Sequence, residues 1–262
     1  MIKALVFDLD DTLLNRGKLV CPENMEAIRR CIDAGIKIVI ATSRPMRAVE
    51  KFIDPSLLTV STQITLNGAI LKMSGQTQQI SSLGDSAKEI IEIARNIEGV
   101  ILSIEYLGAQ FSTNEAFSDA ELLRYQNATP DMVIPMEDVR FESISKIAVD
   151  GCGKNVRDFV KQISKFRINS IMAVNDSFVN IVEAGVDKST TLSKFAEESK
   201  INLKDMIAFG DDVPDLEMMK LVGYSVAMAN SVNDVKMVAD TIIGDCDSDT
   251  ISRYILENIL DN

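Results

Sequence analysis

The sequence predicts an α/β protein: a doubly wound parallel sheet core carrying an inserted α+β cap. Three observations lead to this. Short apolar runs alternate with amphipathic stretches up to about residue 66, the same long rhythm returns after residue 188, and between them the spacing shortens and strand-like runs crowd together.

Residues 3–8 form an apolar run rich in Leu, Val and Phe, the pattern of a strand buried on both faces. A helix is expected over residues 22–34. Pro22 suits its first turn, Met25, Ile28, Cys31 and Ile32 make an apolar stripe, and Gly35 ends it. A second strand over 36–41, a helix after Pro45 and a third strand near 62–66 complete a β-α-β-α-β alternation, which predicts parallel strands in a Rossmann-like arrangement. After Asn67-Gly68 come shorter strands, over 69–73, 100–106, 145–149, 168–174 and 178–182, with helices over 85–97 and 154–165. From Lys188 the long rhythm resumes with a helix to about Ser199, a strand over 206–209, a helix over 215–221, a strand over 224–227 and a last helix after Asp249. The division that results is a core of residues 1–78 and 184–262 and an inserted cap of residues 79–183, its junctions set by rhythm alone.

The composition, 46% apolar and 25% charged, is that of an ordinary globular protein. A net charge of -12 repels nucleic-acid backbones and anionic lipid, so neither is expected as a partner, and an anionic ligand needs a local cationic site. The absence of His excludes every mechanism built on imidazole, leaving acid–base work to carboxylates. Four Cys without CxxC spacing read as reduced, mostly buried thiols. The opening MIKALVFDLDD lacks the long apolar run of a secretory signal, and no run is long enough to cross a bilayer, so a cytoplasmic location is expected.

Asp8 and Asp10 lie two apart where the first strand runs out, so both side chains can point the same way. Two carboxylates about 4 Å apart repel by roughly 4 kcal/mol at an effective dielectric of 20, a penalty that a bound cation reverses. Magnesium, which takes oxygen ligands and retains water, suits such a site better than zinc. A second acidic group, Gly210-Asp211-Asp212-Val213-Pro214-Asp215, also follows an apolar strand. In open α/β sheets ligands gather outside the carboxyl ends of the strands, where Asp8, Asp10, Thr42, Asp211 and the loop at Asn67 are all expected. Thr42 offers a hydroxyl and Lys188 a cation, and both can hold a phosphate.

These pieces together resemble the haloacid dehalogenase-like superfamily and, within it, the Cof-type sugar phosphatases with a large α/β cap. DLDDTLL at 8–14 resembles the first motif of that family, ATSRP at 41–45 the second, Lys188 in GVDK the third and GDDVPDLEMM at 210–219 the fourth. Asn67-Gly68-Ala69 resembles its turn into the cap, and the loop at Asn230 its late loop. The resemblance implies a magnesium-dependent phosphatase acting on small phosphomonoesters, sugar phosphates first, through an aspartyl-phosphate. It makes Asp8 the nucleophile and Asp10 the acid and base, with Thr42, Ser43 and Lys188 around the phosphate. Magnesium would be held by Asp8, the Asp10 carbonyl and Asp211, with Asp215 orienting that set from outside. Arg44, Asn67, Gly68, Asp212 and Asn230 fall in loops that would face the substrate. A cap of this size would close over the sheet edge and choose the leaving group, with phosphorylated cofactors such as FMN or pyridoxal phosphate remaining open. A phosphomutase with the same intermediate and a non-catalytic phosphometabolite sensor are the alternatives.

Two positions depart from the family pattern: Ser43 stands for Gly and Pro214 for Asn. Pro214 also suits the first residue of a helix, and Asp212 and Asn230 suit caps and loop contacts. Asp245, Asp247 and Asp249 begin like a calcium loop but lack its Gly and final Glu, so they read as capping the last helix. Lys154, Arg157, Lys161 and Lys165 read as a solvated helix face, and Met206, Met218, Met219, Met228 and Met237 as core.

Overall fold

A computed structural model describes residues 1–107, 109–151, 153–172 and 176–260. The chain runs β1 (Ala4–Phe7), α1 (Pro22–Asp33), β2 (Lys37–Ala41), α2 (Met46–Phe52), α3 (Pro55–Val60), β3 (Thr62–Thr65), β4 (Ile70–Met73), β5 (Gln76–Gln79) and α4 (Asp85–Arg95). It continues through β6 (Ile101–Glu105), β7 (Phe111–Thr113), α5 (Asp119–Glu121), β8 (Lys146–Asp150), α6 (Gly153–Ile163), β9 (Ile168–Met172) and β10 (Phe178–Glu183). The last stretch holds α7 (Lys188–Ser199), β11 (Met206–Gly210), α8 (Leu216–Leu221), β12 (Tyr224–Ala227), α9 (Asn233–Val238), β13 (Thr241–Ile242) and α10 (Thr250–Ile255).

Two sheets result. The larger has the order β13-β12-β11-β1-β2-β3-β4-β5. Its strands from β13 to β3 pair in parallel, and β4 and β5 extend it antiparallel. Alternation along the strands serves both faces. Leu5, Phe7, Ile38, Ile40, Ile207 and Phe209 pack with residues of α1, α2 and α10, while Ala4, Val6, Val39, Met206 and Ala208 pack with those of α7, α8 and α9. Phe7 and Phe209 stack with ring centroids 4.7 Å apart across adjacent strands. This is the doubly wound core expected, and it puts the ends of β1, β2, β3 and β11 along one edge.

The smaller sheet, in the order β7-β6-β8-β10-β9, is antiparallel throughout. One face carries Leu102, Ile104, Ile147, Val149, Val179 and Ile181, buried against Ala87, Ile90, Ile91, Ala94, Val156 and Phe159 of α4 and α6. The period of two then turns Ser103, Glu105, Lys146, Ala148 and Asp150 to the other face, where Ser103, Glu105, Ala148 and Asp150 line a cavity that Arg44, Arg47 and Ala48 of the core also line.

Several local expectations change. Residues 70–73 extend the core sheet antiparallel, inside the expected core of residues 1–78, and β5, four polar residues, offers no apolar pattern from which a strand could be read. The expected junction near residue 78 falls within β5, and the one near 183 at the end of β10. Met237 is 75% exposed on α9 rather than in the core, whereas Met206, Met218, Met219 and Met228 are buried. Asp245 and Asp247 hold Arg16, and Asp249 occupies the N-cap position of α10 without a side-chain capping bond, pairing instead with Arg253. Lys161 and Lys165 form surface ion pairs with Asp158 and Glu89, as a solvated face would. Cys31 and Cys246 are buried free thiols and Cys21 is partly buried; Cys152 and the expected strand end at 173–174 lie outside the described residues. Among the described residues no helix is long and apolar enough to cross a membrane.

Candidate active site

The edge at which β1 and β11 end side by side gathers the acidic groups. Asp8, Asp211 and Asp215 each present a carboxylate oxygen, all within 4.8 Å of one another. The Lys188 ammonium, at the first residue of α7, donates to Asp8 Oδ1 at 2.5 Å and to Asp215 Oδ1 at 2.7 Å. The other oxygen of Asp215 accepts from the backbone N–H groups of Asp211 and Asp212 at 3.0 and 3.2 Å, so Asp215 holds the loop and the lysine together. Gly210 permits this: a Cβ there would lie 2.7 Å from the Asp215 Cβ. Thr12 Oγ1 donates to Asp211 Oδ1 at 2.8 Å, fixing that carboxylate from the first loop.

Crowding of like charge shows in the titration of these groups. Burial, then the Asp215 carboxylate, pushes Asp8 well above the usual carboxylate range against the pull of Lys188. Burial and Asp215 likewise push Asp211 up to about 7. Burial opposes the charge on Lys188, but Asp215 and Asp8 outweigh it and hold the ammonium above its ordinary range. Three carboxylates around one lysine make an all-oxygen donor set short of positive charge, which fits a hard divalent cation such as magnesium. A separate cluster, Asp245, Cys246 and Asp247, already spends its carboxylates on Arg16.

Asp10 stands apart from the three. Its carboxylate takes both Nε and Nη2 of Arg44, at 2.6 and 2.7 Å, and Nζ of Lys18 at 2.7 Å. Burial would raise its pKa, but Arg44 and then Lys18 outweigh burial and hold it below the ordinary range.

The phosphate-side loop follows β2. Thr42 is buried, and its hydroxyl accepts from the Arg44 N–H at 3.1 Å. Ser43 turns its hydroxyl to Asn67, whose Nδ2 donates to it at 2.8 Å, so the Ser that departs from the family pattern is absorbed by a bond to the neighbouring turn. That turn needs its residue types. Asn67 and Gly68 have φ of 57° and 97°, and a Cβ on Gly68 would meet Asp187 O at 2.1 Å. Thr191 on α7 donates to Gly68 O at 2.6 Å, so the turn also registers the helix that carries Lys188.

The remaining expected residues are structural neighbours. Asp212 caps the short turn Val213–Asp215, in which Pro214 sits at the helical start, the plainer of its two readings. Asn230 donates to Asp11 O at 2.7 Å and accepts from Cys246 N at 3.0 Å, buttressing the first loop from behind. Thr12 belongs to the first motif but carried no role of its own there; Lys18 and Lys146 reach the site without any expectation from sequence, since an isolated Lys in a loop or strand carries no spacing signal.

A cavity of about 420 Å³ lies over this edge, floored by Asp8, Asp10, Thr42 and Lys188 and roofed by Met172, Phe178 and Asn180 of the smaller sheet. Through Arg44 and Phe178 it adjoins a second, of about 580 Å³, walled by Phe117, Tyr125, Ser103, Gln126 and Asp150.

A parallel α/β core with acidic strand ends, a lysine at a helix start and an antiparallel sheet over them is the arrangement of one class of hydrolases. The chain belongs to the haloacid dehalogenase-like hydrolases, whose family model matches residues 5–255. It is 26% identical to the 5-amino-6-(5-phospho-D-ribitylamino)uracil phosphatase YwtE of Bacillus subtilis over 97% of both chains. It is 24% identical to the pyridoxal phosphate phosphatase YbhA of Escherichia coli, over 98% of this chain and 99% of that one. Among solved structures, a haloacid dehalogenase-like hydrolase from Bacteroides thetaiotaomicron superposes with a TM-score of 0.86 at 23% identity, covering 98% of this chain and 99% of that one. A sugar phosphatase of subclass IIB superposes with a TM-score of 0.82 at 21% identity, covering 97% of this chain and 98% of that one.

Proposed function

We propose that the protein is a magnesium-dependent phosphatase that hydrolyses small phosphomonoesters through an aspartyl-phosphate on Asp8, residues 1–78 and 184–262 supplying the chemistry and residues 79–183 the cap. The phosphatase class follows from the family and its relatives; the metal, the intermediate and the roles are our reading. The observation that carries it is the meeting of Asp8, Asp211, Asp215 and Lys188 at one sheet edge, from segments some 200 residues apart in the chain.

In this reading the Asp8 carboxylate attacks phosphorus, the ester P–O bond breaks, and Asp10 gives its proton to the leaving oxygen. Water then attacks the aspartyl-phosphate, Asp10 takes the proton back, and inorganic phosphate leaves with Asp8 restored. An incoming phosphate competes with Asp10 for Arg44 and Lys18, and releasing those cations lets the carboxyl take up the proton it must donate. Thr42, the Ser43 loop and Lys188 hold phosphoryl oxygens. Asp8, Asp211 and the Asp10 carbonyl would hold magnesium, with Asp215 orienting them; bound there, the ion supplies charge neutralisation for phosphoryl transfer.

Sugar phosphates are the first substrate class to test, given the sugar phosphatase among the structural relatives. The relatives named for pyridoxal phosphate and for 5-amino-6-(5-phospho-D-ribitylamino)uracil add ring-bearing phosphates, which suit the aromatic residues Phe117, Tyr125 and Phe178 in the second cavity. The deciding experiment is phosphate release from a panel of sugar, pyridoxal and flavin phosphates with magnesium. Activity that disappears in Asp8→Asn is expected. A wild type that releases no phosphate from any of them, or that accumulates an isomerised sugar phosphate as a mutase would, overturns the reading.

A further inference from the structure

Each carbonyl of the loop formed by Thr42, Ser43 and Arg44 is taken by a donor outside the loop. Thr42 O accepts from Asn67 N at 3.2 Å and Arg44 O from Leu66 N at 3.1 Å, so a turn of the core fastens the two ends. The middle carbonyl, Ser43 O, accepts from Nζ of Lys146 at 2.8 Å. Lys146 lies on β8 of the smaller sheet, and its side chain is buried. Confining an ammonium there is costly, because burial disfavours the charged form. Burial, together with Arg47 of α2 and Arg44 of the loop, draws its pKa down to about 8 against the opposing charge of Glu105 on β6. Glu105, directly across the strands from Lys146, spends both oxygens on Arg47 at 2.6 and 2.8 Å.

The bond to Ser43 O has a consequence one peptide further on. The Ser43 carbonyl and the Arg44 N–H belong to one planar peptide group, so fixing the oxygen fixes the direction of the N–H. That N–H donates to Thr42 Oγ1, the hydroxyl assigned above to a phosphoryl oxygen. A contact made by the cap therefore sets the orientation of a group that faces phosphate.

We propose that Lys146 is a positioning residue for phosphate binding, which through the Ser43–Arg44 peptide aligns the Thr42 hydroxyl when the cap sheet is seated on the core. The inference rests on the phosphatase reading. It gives the cap a part in binding the phosphoryl group itself, in addition to enclosing the leaving group.

The test uses the full chain with magnesium, comparing wild type, Lys146→Met, Lys146→Arg and the exposed cap control Lys165→Met. Binding of inorganic phosphate by calorimetry and KM and kcat on p-nitrophenyl phosphate are measured, with the thermal midpoint followed by circular dichroism. Phosphate has no leaving group, so it isolates the loop from the rest of the cap. Lys146→Met is expected to weaken phosphate binding roughly tenfold, the scale of a lost charge-assisted hydrogen bond, and Lys146→Arg to recover most of it, with Lys165→Met unchanged. If Lys146→Met does not fold, Lys146→Gln takes its place under the same criterion. Phosphate binding at the wild-type level in a folded Lys146→Met, even with a raised KM, overturns the inference. A wild type that binds phosphate but hydrolyses no ester overturns the phosphatase reading instead, and the binding comparison still decides the role of Lys146.

Discussion

Removing magnesium should make the protein lose stability as the pH rises, the reverse of ordinary acid denaturation, and Asp211 is where the effect can be isolated. Burial and the Asp215 carboxylate push Asp211 up to about 7 from an ordinary 3.8. A carboxyl whose folded pKa is raised binds its proton more tightly folded than unfolded. Its effect on stability is therefore nil below about pH 4, grows as a penalty while the pH climbs, and is complete above about pH 7. At 1.36 kcal/mol per pH decade the full interval is worth about 4 kcal/mol, and partial solvent access around Asp211 reduces it to about 2–4 kcal/mol. A bound divalent cation accepts only the ionised carboxylate, so magnesium cancels the penalty at pH 8 and competes with the proton below about 7. Urea denaturation at pH 5.5 and 8.0, each with EDTA and with saturating magnesium, reads both limbs. The gain from magnesium should be larger at pH 8.0 by about 2–4 kcal/mol. In EDTA at pH 8.0, Asp211→Asn should be more stable than wild type by a similar amount, yet inactive, because Asn retains an acceptor for Thr12 and lacks the charge. Equal stabilisation by magnesium at the two pH values, or an Asp211→Asn variant no more stable than wild type in EDTA, refutes this account of the site.

Two further substitutions test the scaffold. Gly210→Ala places a Cβ 2.7 Å from that of Asp215, so the loop must shift; a loss of about 1–3 kcal/mol and at least about a tenfold drop in kcat/KM are expected, and wild-type magnesium affinity would contradict them. Glu105→Gln strands the buried Arg47 guanidinium and should cost about 3–5 kcal/mol by urea denaturation, while replacing both partners by Met should recover most of the loss. A double variant as unstable as the single one would show that the pair is not the cause.

How far the fold could be read from sequence depended on whether burial left a period in the residues. β1, β2 and β11 are buried on both faces and read as apolar runs; α1 carries Met25, Ile28 and Cys31 on one side and shows its stripe. β5 is Gln-Thr-Gln-Gln, held in the sheet by its backbone pairing with β4, and nothing in its side chains announces a strand. α9 likewise has one buried residue, Val235, so Met237 was assigned to a core that the helix barely touches. β7 is three residues long, below any window in which alternation can be counted.

The site divides along a related line, between contacts that a motif states and contacts that packing creates. The acidic pairs, Thr42 and Lys188 sit at strand ends and a helix start, positions that an alternating βα chain fixes in advance, so their meeting followed from topology. Lys18, Lys146 and the Arg47–Glu105 pair owe their places to how a loop and a second sheet lie against that edge. In sequence Lys146 is one charge within the expected strand over 145–149 and carries no signal of its own. In the fold it is a buried cation touching the one loop carbonyl that the core leaves to the cap. The residues at the strand ends and the helix start were thus legible one by one, while Lys146, which joins the smaller sheet to the Thr42–Arg44 loop, became visible only as a contact between residues 103 apart in the chain.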